Sequence, residues 1–193
     1  RLEGLSLTTC GTVGRGIQAS SSFLTVSDCL VTNCYRAYGA GLVTSLCQLK
    51  VEDSVIAGNS NPVPGSGESD MQSGGARVEH GASLFDRTQF SRNFMRTRNA
   101  PGWAIRGGGA AFNGGAHRLR NVLAIRNTMY GYSRQGSAFY GAECLLTLQN
   151  VTVATNTDAA ALYQNAGALN GQNSILYNNT FGDYVGTVSF TYS

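Results

Sequence analysis

The chain has 193 residues, of which 42% are hydrophobic and only 13% are charged, with a formal net charge of +3. This length suits one domain with one core, and 25 glycines against three prolines exclude collagen and proline-rich disorder. Fifteen asparagines among many small residues disfavour helix and favour tightly turned β structure. No apolar run is long enough to span a membrane.

One short motif recurs along the chain: an apolar residue, two variable residues, then Asn or Cys. Successive copies are 24, 25, 34, 34, 29 and 23 residues apart and end at Cys10, Cys34, Asn59, Asn93, Asn127, Asn156 and Asn179. Apolar segments precede the copies and small-residue segments follow the first six, so each basic unit of about 23–25 residues contains three short strands. This pattern predicts an all-β, single-stranded parallel β-helix of about seven three-strand rungs. The preference of parallel crossovers predicts a right-handed coil.

Stacked rungs place equivalent residues in columns, because neighbouring parallel strands lie about 4.8 Å apart. One column is predicted to be a ladder of hydrogen-bonded amides formed by Asn59, Asn93, Asn127, Asn156 and Asn179. A second column, where the chain turns sharply, is predicted to contain Gly16, Gly41, Ala76, Ala110, Ala138 and Ala161. A β-sandwich with chance matches is the alternative, and seven copies in phase favour the coil.

The paired motifs resemble the repeats of polymorphic membrane proteins, a family of autotransported surface adhesins. Residues 90–93 match the Phe-x-x-Asn motif of that family, and residues 74–76 and 108–110 match its Gly-Gly-Ala motif. The resemblance implies a pectin-lyase-like right-handed β-helix and an adhesive role at a cell surface. The other copies are degenerate, and the architecture is shared by many secreted proteins.

Three insertions lengthen the same corner of consecutive rungs: residues 61–73, 94–106 and 128–135. Residues 1–193 are otherwise predicted to form a single β-helix domain, which we expect to be a segment of a longer protein. Because adjacent rungs stack, the inserted loops should protrude side by side, and loops on a rigid scaffold often carry binding sites. The predicted ligand-binding residues are Arg96, Arg98, Trp103, Arg106, Tyr130, Tyr132 and Arg134.

Aromatic rings beside guanidinium groups suit sugar rings and their acidic substituents. The alternative is that Trp103 and the tyrosines fold back over the scaffold. Residues 77–134 contain ten arginines against two acidic residues, a net charge of +8. Such a field attracts an anionic partner. We expect an acidic glycan or an acidic protein surface, since no nucleic-acid-binding motif accompanies the charge.

A second hypothesis is catalytic, because parallel β-helices often are polysaccharide lyases or hydrolases. Asp53, Asp86, Arg87 and Arg120 fall in two neighbouring columns. They could bind Ca²⁺ and a uronate, with an arginine removing a proton. An outward ladder of structural charge pairs is favoured instead, and otherwise neither a cofactor nor a metal is expected. His80 and His117 occupy different columns and are expected to be solvated.

The cysteines indicate in which cellular compartment the protein is located. Cys10 and Cys34 occupy the same column of consecutive rungs and are close enough for a disulfide, with a reduced cysteine ladder as the alternative. A disulfide would indicate a secreted or cell-surface protein. Asn150 and Asn178 begin glycosylation sequons. Unprotected ends of a solenoid also predict self-association.

Overall fold

A computed structural model describes residues 1–8, 10, 15–35, 40–61, 70–96 and 104–191. The described chain is all-β, and its strands pair in parallel along four sheets. The predicted parallel β-helix is therefore confirmed, while the right-handed sense stays a prediction. None of the described residues lies in a helix, so this part of the chain has no helix long and apolar enough to cross a membrane.

The short-strand sheet has one three-residue strand per rung, seven in all. Its strands are Ser6–Thr8, Leu30–Thr32, Val55–Ala57, Gln89–Ser91, Leu123–Ile125, Thr152–Ala154 and Ile175–Tyr177. Their central residues Val31, Ile56, Phe90, Ala124 and Val153 are buried. The seven strands agree with the seven copies of the sequence motif.

The long-strand sheet has ten strands and covers the rest of the coil. Its strands are Leu2–Glu3, Ile17–Ser20, Phe23–Ser27, Leu42–Glu52, Ala76–Asp86, Ala110–Arg120, Phe139–Gln149, Leu162–Gln172, Tyr184–Val185 and Val188–Thr191. In the five strands of eleven residues, two of the predicted short segments form one continuous strand with a bend. The three predicted strand segments of a rung are thus present, with two of them joined through a left-handed bend.

Left-handed backbone conformations mark three corners in each rung. The first corner precedes the short strand and contains Gly4, Asp28, Asp53, Arg87, Asn121, Asn150 and Asn173, with φ between 46° and 62°. The second corner follows the short strand and contains Asn33, Gly58, Arg92, Arg126, Thr155 and Asn178. The third bends the long strands at Ser21, Leu46, His80, Gly114, Glu143 and Ala166. Glycine, asparagine and aspartate tolerate this conformation best, which explains their frequency at the first two corners.

The five asparagines lie one above another inside the coil. Each of the first four donates from Nδ2 to Oδ1 of the next at 3.0–3.2 Å, and that same Oδ1 accepts the backbone N–H of the residue below. Nδ2 of each also donates to a backbone carbonyl of the preceding rung. Asn59, Asn93, Asn127 and Asn156 are fully buried. At the last rung, Asn179 donates to Asp183 Oδ1 at 3.0 Å.

Four of the six predicted members of the small-residue column are confirmed, whereas Ala76 and Ala110 were assigned one residue too far along the chain. Ala76 pairs with Leu42 and Ala110 pairs with Phe139. The aligned column is Gly16, Gly41, Gly75, Gly109, Ala138 and Ala161. A Cβ on Gly75 would lie 2.9 Å from Nδ2 of Asn93. The nearest atom to that Cβ would be the carbonyl oxygen of Gly109 in the next rung, at 2.3 Å. Crowding by the adjacent backbone and by the asparagine ladder therefore explains why this column contains only Gly and Ala.

Phenylalanine side chains fill the middle of the coil. Phe85, Phe90, Phe112 and Phe139 are fully buried, with ring centroids 5.3–6.3 Å apart. Shorter aliphatic side chains fill the flanking rungs, including Val26, Val51 and Leu162. The main core is continuous along the coil axis, so it provides a rigid base for the insertions.

The insertions of consecutive rungs lie side by side, as predicted, and their ends pair as short strands. Where the chain leaves the coil, Ser60–Asn61, Phe94–Arg96 and Thr128–Tyr130 form the outgoing sheet. Where it comes back, Asp70–Gln72, Ala104–Arg106 and Ser133–Gln135 form the returning sheet. Met95, Ile105, Met129 and Ala159 form a small separate core between the two sheets.

Candidate functional site

A groove of about 410 Å³ lies on the outer face of the outgoing sheet. It is lined by Phe94, Arg96, Thr128, Tyr130 and Asp158. Side chains alternate along a strand, so the inward positions of Met95 and Met129 place these outward neighbours on one surface. We call this the insertion groove.

The side chains of the groove combine an aromatic face with both signs of charge. The Arg96 guanidinium carbon lies 5.4 Å from the centroid of the Tyr130 ring, and Tyr130 is 54% exposed. Asp158 accepts a hydrogen bond from Thr157 Oγ1 at 2.9 Å and lies 3.9 Å from Arg134 Nη1. This arrangement offers a stacking surface, hydrogen-bond donors and a carboxylate acceptor to one ligand.

The other predicted ligand-binding residues have different positions. Arg106 stacks on Tyr140, with 5.5 Å between the guanidinium carbon and the ring centroid, and donates to Gln135 Oε1 at 3.3 Å. Arg134 lies over Phe181 at 5.3 Å. Tyr132 is 58% exposed but does not line the groove.

Arg98 and Trp103 lie outside the described residues. Sequence reasoning missed Phe94, Thr128 and Asp158. The first two follow directly after ladder asparagines, so strand alternation from the ladder could have assigned them to the outer face.

Asp53, Asp86, Arg87 and Arg120 form one cluster at the first corner, which we call the acid–arginine cluster. Arg87 donates to both carboxylate oxygens of Asp53 at 2.6 and 2.7 Å, and its Nη1 donates to Asp86 Oδ2 at 2.7 Å. Arg120 donates to both oxygens of Asp86 at 3.1 and 2.5 Å. Asn121 adds a third donor to Asp86 at 3.1 Å.

Left-handed backbone at the corner explains how two columns meet. Asp53 and Arg87 have φ of 49° and 46°, so the strand alternation is interrupted between them and their neighbours. As a result, Arg87 folds back over Asp86, whose side chain is only 2% exposed. Alternation along a regular strand would have directed the two columns to opposite faces.

These contacts stabilise the charged forms of all four side chains, so they lower the pKa values of the carboxyl groups and raise those of the arginines. The hydrogen bond from Arg120 is the main cause that lowers the pKa of Asp86 to about 2. The hydrogen bond from Arg87 lowers the pKa of Asp53. The same carboxylates raise the pKa values of Arg87 and Arg120 above the usual arginine value. The cluster therefore stays ionised at neutral pH, and neither arginine is suited to accept a proton.

His117 is a buried polar residue, contrary to the expectation of a solvated side chain. Its Nδ1 lies 3.0 Å from Ser83 Oγ, and its Nε2 lies 2.7 Å from the carbonyl oxygen of Gly114. Burial lowers the pKa of His117. Its ring packs against Phe112 at 5.1 Å, so His117 is part of the main core, whereas His80 is exposed.

The remaining predicted sites lie away from the groove. The structure joins Cys10 and Cys34 in a disulfide with their Cα atoms 4.6 Å apart. Asn150 and Asn178 are exposed at corners, and Asn150 Nδ2 donates to Asn121 Oδ1 at 3.2 Å. Among the described residues, no three His, Cys, Asp or Glu side chains form a group that could hold a metal ion.

Comparisons of the chain with protein-family models, with curated proteins and with solved structures found no match. The resemblance to polymorphic membrane proteins stays a hypothesis that depends on the motif residues. The structure gives those residues a physical role, because Phe90 fills the main core, Asn93 belongs to the ladder and Gly75 contacts it. The motifs therefore report the architecture of the coil.

Proposed function

We propose that this protein is a non-catalytic extracellular β-helical module that binds an acidic glycan through the insertion groove. The observation that carries the proposal is the Tyr130 ring, which is 54% exposed with the Arg96 guanidinium over one of its faces, in the same groove as Asp158. The volume of about 410 Å³ is within the range of small-molecule sites. The module would act as a rigid spacer with an adhesive surface, in keeping with the resemblance to surface adhesins.

Rigidity of the groove supports binding. Four of its five lining residues belong to parallel strands of adjacent rungs, with Phe94 beside Thr128 and Arg96 beside Tyr130. A site that is already ordered loses little conformational entropy when it binds a ligand. A saccharide could therefore be recognised without closure of a loop.

The chemistry of the groove favours a saccharide with acidic substituents. The exposed face of an aromatic ring stacks on the apolar face of a sugar, and a carboxylate accepts hydrogen bonds from hydroxyl groups. The net charge of +8 over residues 77–134 attracts an anionic polymer to this part of the coil. The disulfide between Cys10 and Cys34 is consistent with the proposed secreted or cell-surface location.

A polysaccharide lyase or glycoside hydrolase that uses the acid–arginine cluster is less well supported. General acid–base catalysis works best with groups whose pKa lies near the working pH. In the cluster, the pKa of Asp86 is lowered to about 2 and that of Arg87 is raised. Turnover of polygalacturonate that is lost in Arg87→Ala would instead favour the lyase.

Binding to an array of neutral and acidic glycans tests the proposal. We expect Tyr130→Ala to weaken glycan binding about tenfold or more, because the variant loses the stacking surface. The matched control is Tyr177→Ala, which removes a tyrosine that is 67% exposed outside the groove. If Tyr130→Ala binds glycans as tightly as Tyr177→Ala does, the insertion groove is not the binding site. The melting temperatures of both variants show whether they are folded.

A further inference from the structure

Two arginines beside the insertion groove occupy adjacent rungs of the second corner. Arg92 and Arg126 are both exposed and both have φ of 54°. The N–H group of Arg92 donates to the carbonyl oxygen of Ile125 at 3.1 Å, which places the two residues one rung apart, at about 4.8 Å. The side chains of both arginines thus start from neighbouring points on the same edge.

Within the described part of the chain, no carboxylate pairs with either arginine. The arginines of the first corner lie beside acids, Arg87 beside Asp53 and Arg120 beside Asp86. Over the described ranges, by contrast, no ion pair or side-chain hydrogen bond involves Arg92 or Arg126. Their column neighbours are Gly58 below and Thr155 above, which carry no charge.

Stacked like charges repel each other, so the pair is unfavourable without a counter-ion. Directly opposed like charges destabilise a sheet, and screening by solvent reduces this effect without reversing it. Elsewhere in the coil, the first corner places arginine above acid. An anion held between Arg92 and Arg126 would provide the missing charge.

The backbone holds the pair in register. The residues that follow the two arginines are Asn93 and Asn127, which are fully buried and hydrogen-bonded to each other. The arginine backbones are therefore fixed relative to one another, although the side chains are solvated. Two guanidinium groups at this spacing can bind the oxygens of one sulfate or carboxylate from both sides.

The pair is continuous with the insertion groove. Phe94 and Thr128 line the groove and stand two residues after Arg92 and Arg126, respectively. An aromatic surface with an oxyanion site at its end suits an acidic polysaccharide better than an acidic peptide, because Tyr130 provides the stacking surface for a sugar ring.

We propose that Arg92 and Arg126 form an oxyanion subsite that takes one sulfate or carboxylate substituent of a polysaccharide whose sugar ring lies on Tyr130. This inference rests on the proposed glycan-binding function and adds the residues that select an acidic ligand. It also assigns the preference for acidic ligands to one pair of arginines, instead of to the diffuse charge of residues 77–134.

Binding of dextran, dextran sulfate and carboxymethyl dextran of equal length to the full chain tests the subsite. We expect the wild-type protein to prefer the two acidic polymers. Arg92→Gln/Arg126→Gln should weaken their binding about tenfold or more, since it removes two charge-assisted contacts, and should leave the weaker binding of dextran unchanged. The ratio of dextran sulfate to carboxymethyl dextran affinity tells whether sulfate or carboxylate is the source of the oxyanion.

The control variant is Arg1→Gln/Arg118→Gln, which removes the same formal charge at exposed positions away from the groove. Equal losses in the control and in Arg92→Gln/Arg126→Gln would overturn the inference, because the attraction would then depend on net charge alone. Dextran bound as tightly as dextran sulfate would overturn it as well. Tighter, arginine-dependent binding of poly-L-glutamate would reassign the subsite to an acidic protein.

The Tyr130→Ala variant separates the two proposals. Loss of all polymer binding in Tyr130→Ala, with no effect of Arg92→Gln/Arg126→Gln, would retain the groove and reject the subsite. Loss of acidic polymer binding in Arg92→Gln/Arg126→Gln, with no effect of Tyr130→Ala, would retain the arginine pair and reject the groove. Failure of the wild-type protein to bind any of the three polymers would reject both.

Discussion

Asn127 illustrates how single side chains hold the rungs together. Its Oδ1 accepts from the backbone N–H and from Nδ2 of Asn93, and its Nδ2 donates to Asn156 and to the carbonyl oxygen of Phe90. Four hydrogen bonds in a fully buried environment depend on this one amide. Removing the amide would leave several buried polar groups of adjacent rungs without partners.

We therefore predict that Asn127→Ala lowers the free energy of unfolding by about 3 kcal/mol or more, since each unsatisfied buried group costs about 1–3 kcal/mol. Urea denaturation followed by circular dichroism measures the change. The control is Asn170→Ala, an exposed asparagine on a long strand, for which we expect a change of about 0.5 kcal/mol or less. Similar values for the two variants would mean that the ladder does not stabilise the coil.

The lowered pKa of Asp86 predicts that the stability of the fold depends on pH. Its pKa is lowered from 3.8 to about 2 in the folded chain, so the unfolded chain binds a proton at higher pH than the folded chain does. The stabilisation from this carboxylate is therefore complete above about pH 5 and is lost progressively as the pH falls towards 2.

Asp86→Asn should lower the free energy of unfolding at pH 7 by about 2 kcal/mol and flatten its decline between about pH 5 and pH 2. Thermal unfolding at a series of pH values measures this. Asp28→Asn, at an exposed position of the same corner, is the control and should keep the wild-type slope. A wild-type slope in Asp86→Asn would show that the buried carboxylate does not cause the acid sensitivity.

At the scale of secondary-structure elements, the turns determine how closely the rungs pack. The small-residue column lies against the ladder, and a Cβ on Gly41 would lie 2.9 Å from Asn59 Nδ2, just as a Cβ on Gly75 would from Asn93. Two rungs later the column accepts alanine at Ala138. The available space thus differs from rung to rung.

Gly75→Ala should destabilise the fold by about 1–3 kcal/mol, because the added methyl group would lie 2.3 Å from the carbonyl oxygen of Gly109 and 2.9 Å from Nδ2 of Asn93. Gly4→Asn is the matched control, since Gly4 has φ of +62° with no atom within 4 Å of a built Cβ, and asparagine tolerates that conformation. Both variants can be compared by urea denaturation. Equal stability of Gly75→Ala and wild type would argue against tight packing at this position.

The sequence predicts where the insertions lie but not the strands within them. Their positions at one corner followed from the lengthened spacing between ladder residues. The strands at their ends, Phe94–Arg96 and Thr128–Tyr130, did not, because their pairing depends on contacts between insertions of different rungs. The small core of Met95, Ile105, Met129 and Ala159 has the same non-local origin.

At the scale of the whole molecule, arginines that pair with acids and arginines that do not pair with acids lie at different corners of the coil. The first corner pairs Asp53 and Asp86 with Arg87 and Arg120, while the second corner leaves Arg92 and Arg126 without acids in the described chain. Arg87, Arg92, Arg120 and Arg126 all belong to the basic segment 77–134. The arginines without an acidic partner among the described residues thus include the pair two residues before Phe94 and Thr128 of the insertion groove.

The sequence was sufficient for the fold, the number of rungs and the ladder, because a stacked coil converts a repeat in sequence directly into a column in space. Ala76 and Ala110 were assigned to the small-residue column because Gly and Ala are nearly interchangeable in a motif. The preceding residues, Gly75 and Gly109, occupy that column, and a Cβ fits only at the alanine positions. The groove and the acid–arginine cluster were decided only by the tertiary structure. Their side chains meet at left-handed corners and between separate insertions, where the alternation of residues along a strand no longer predicts the direction of a side chain.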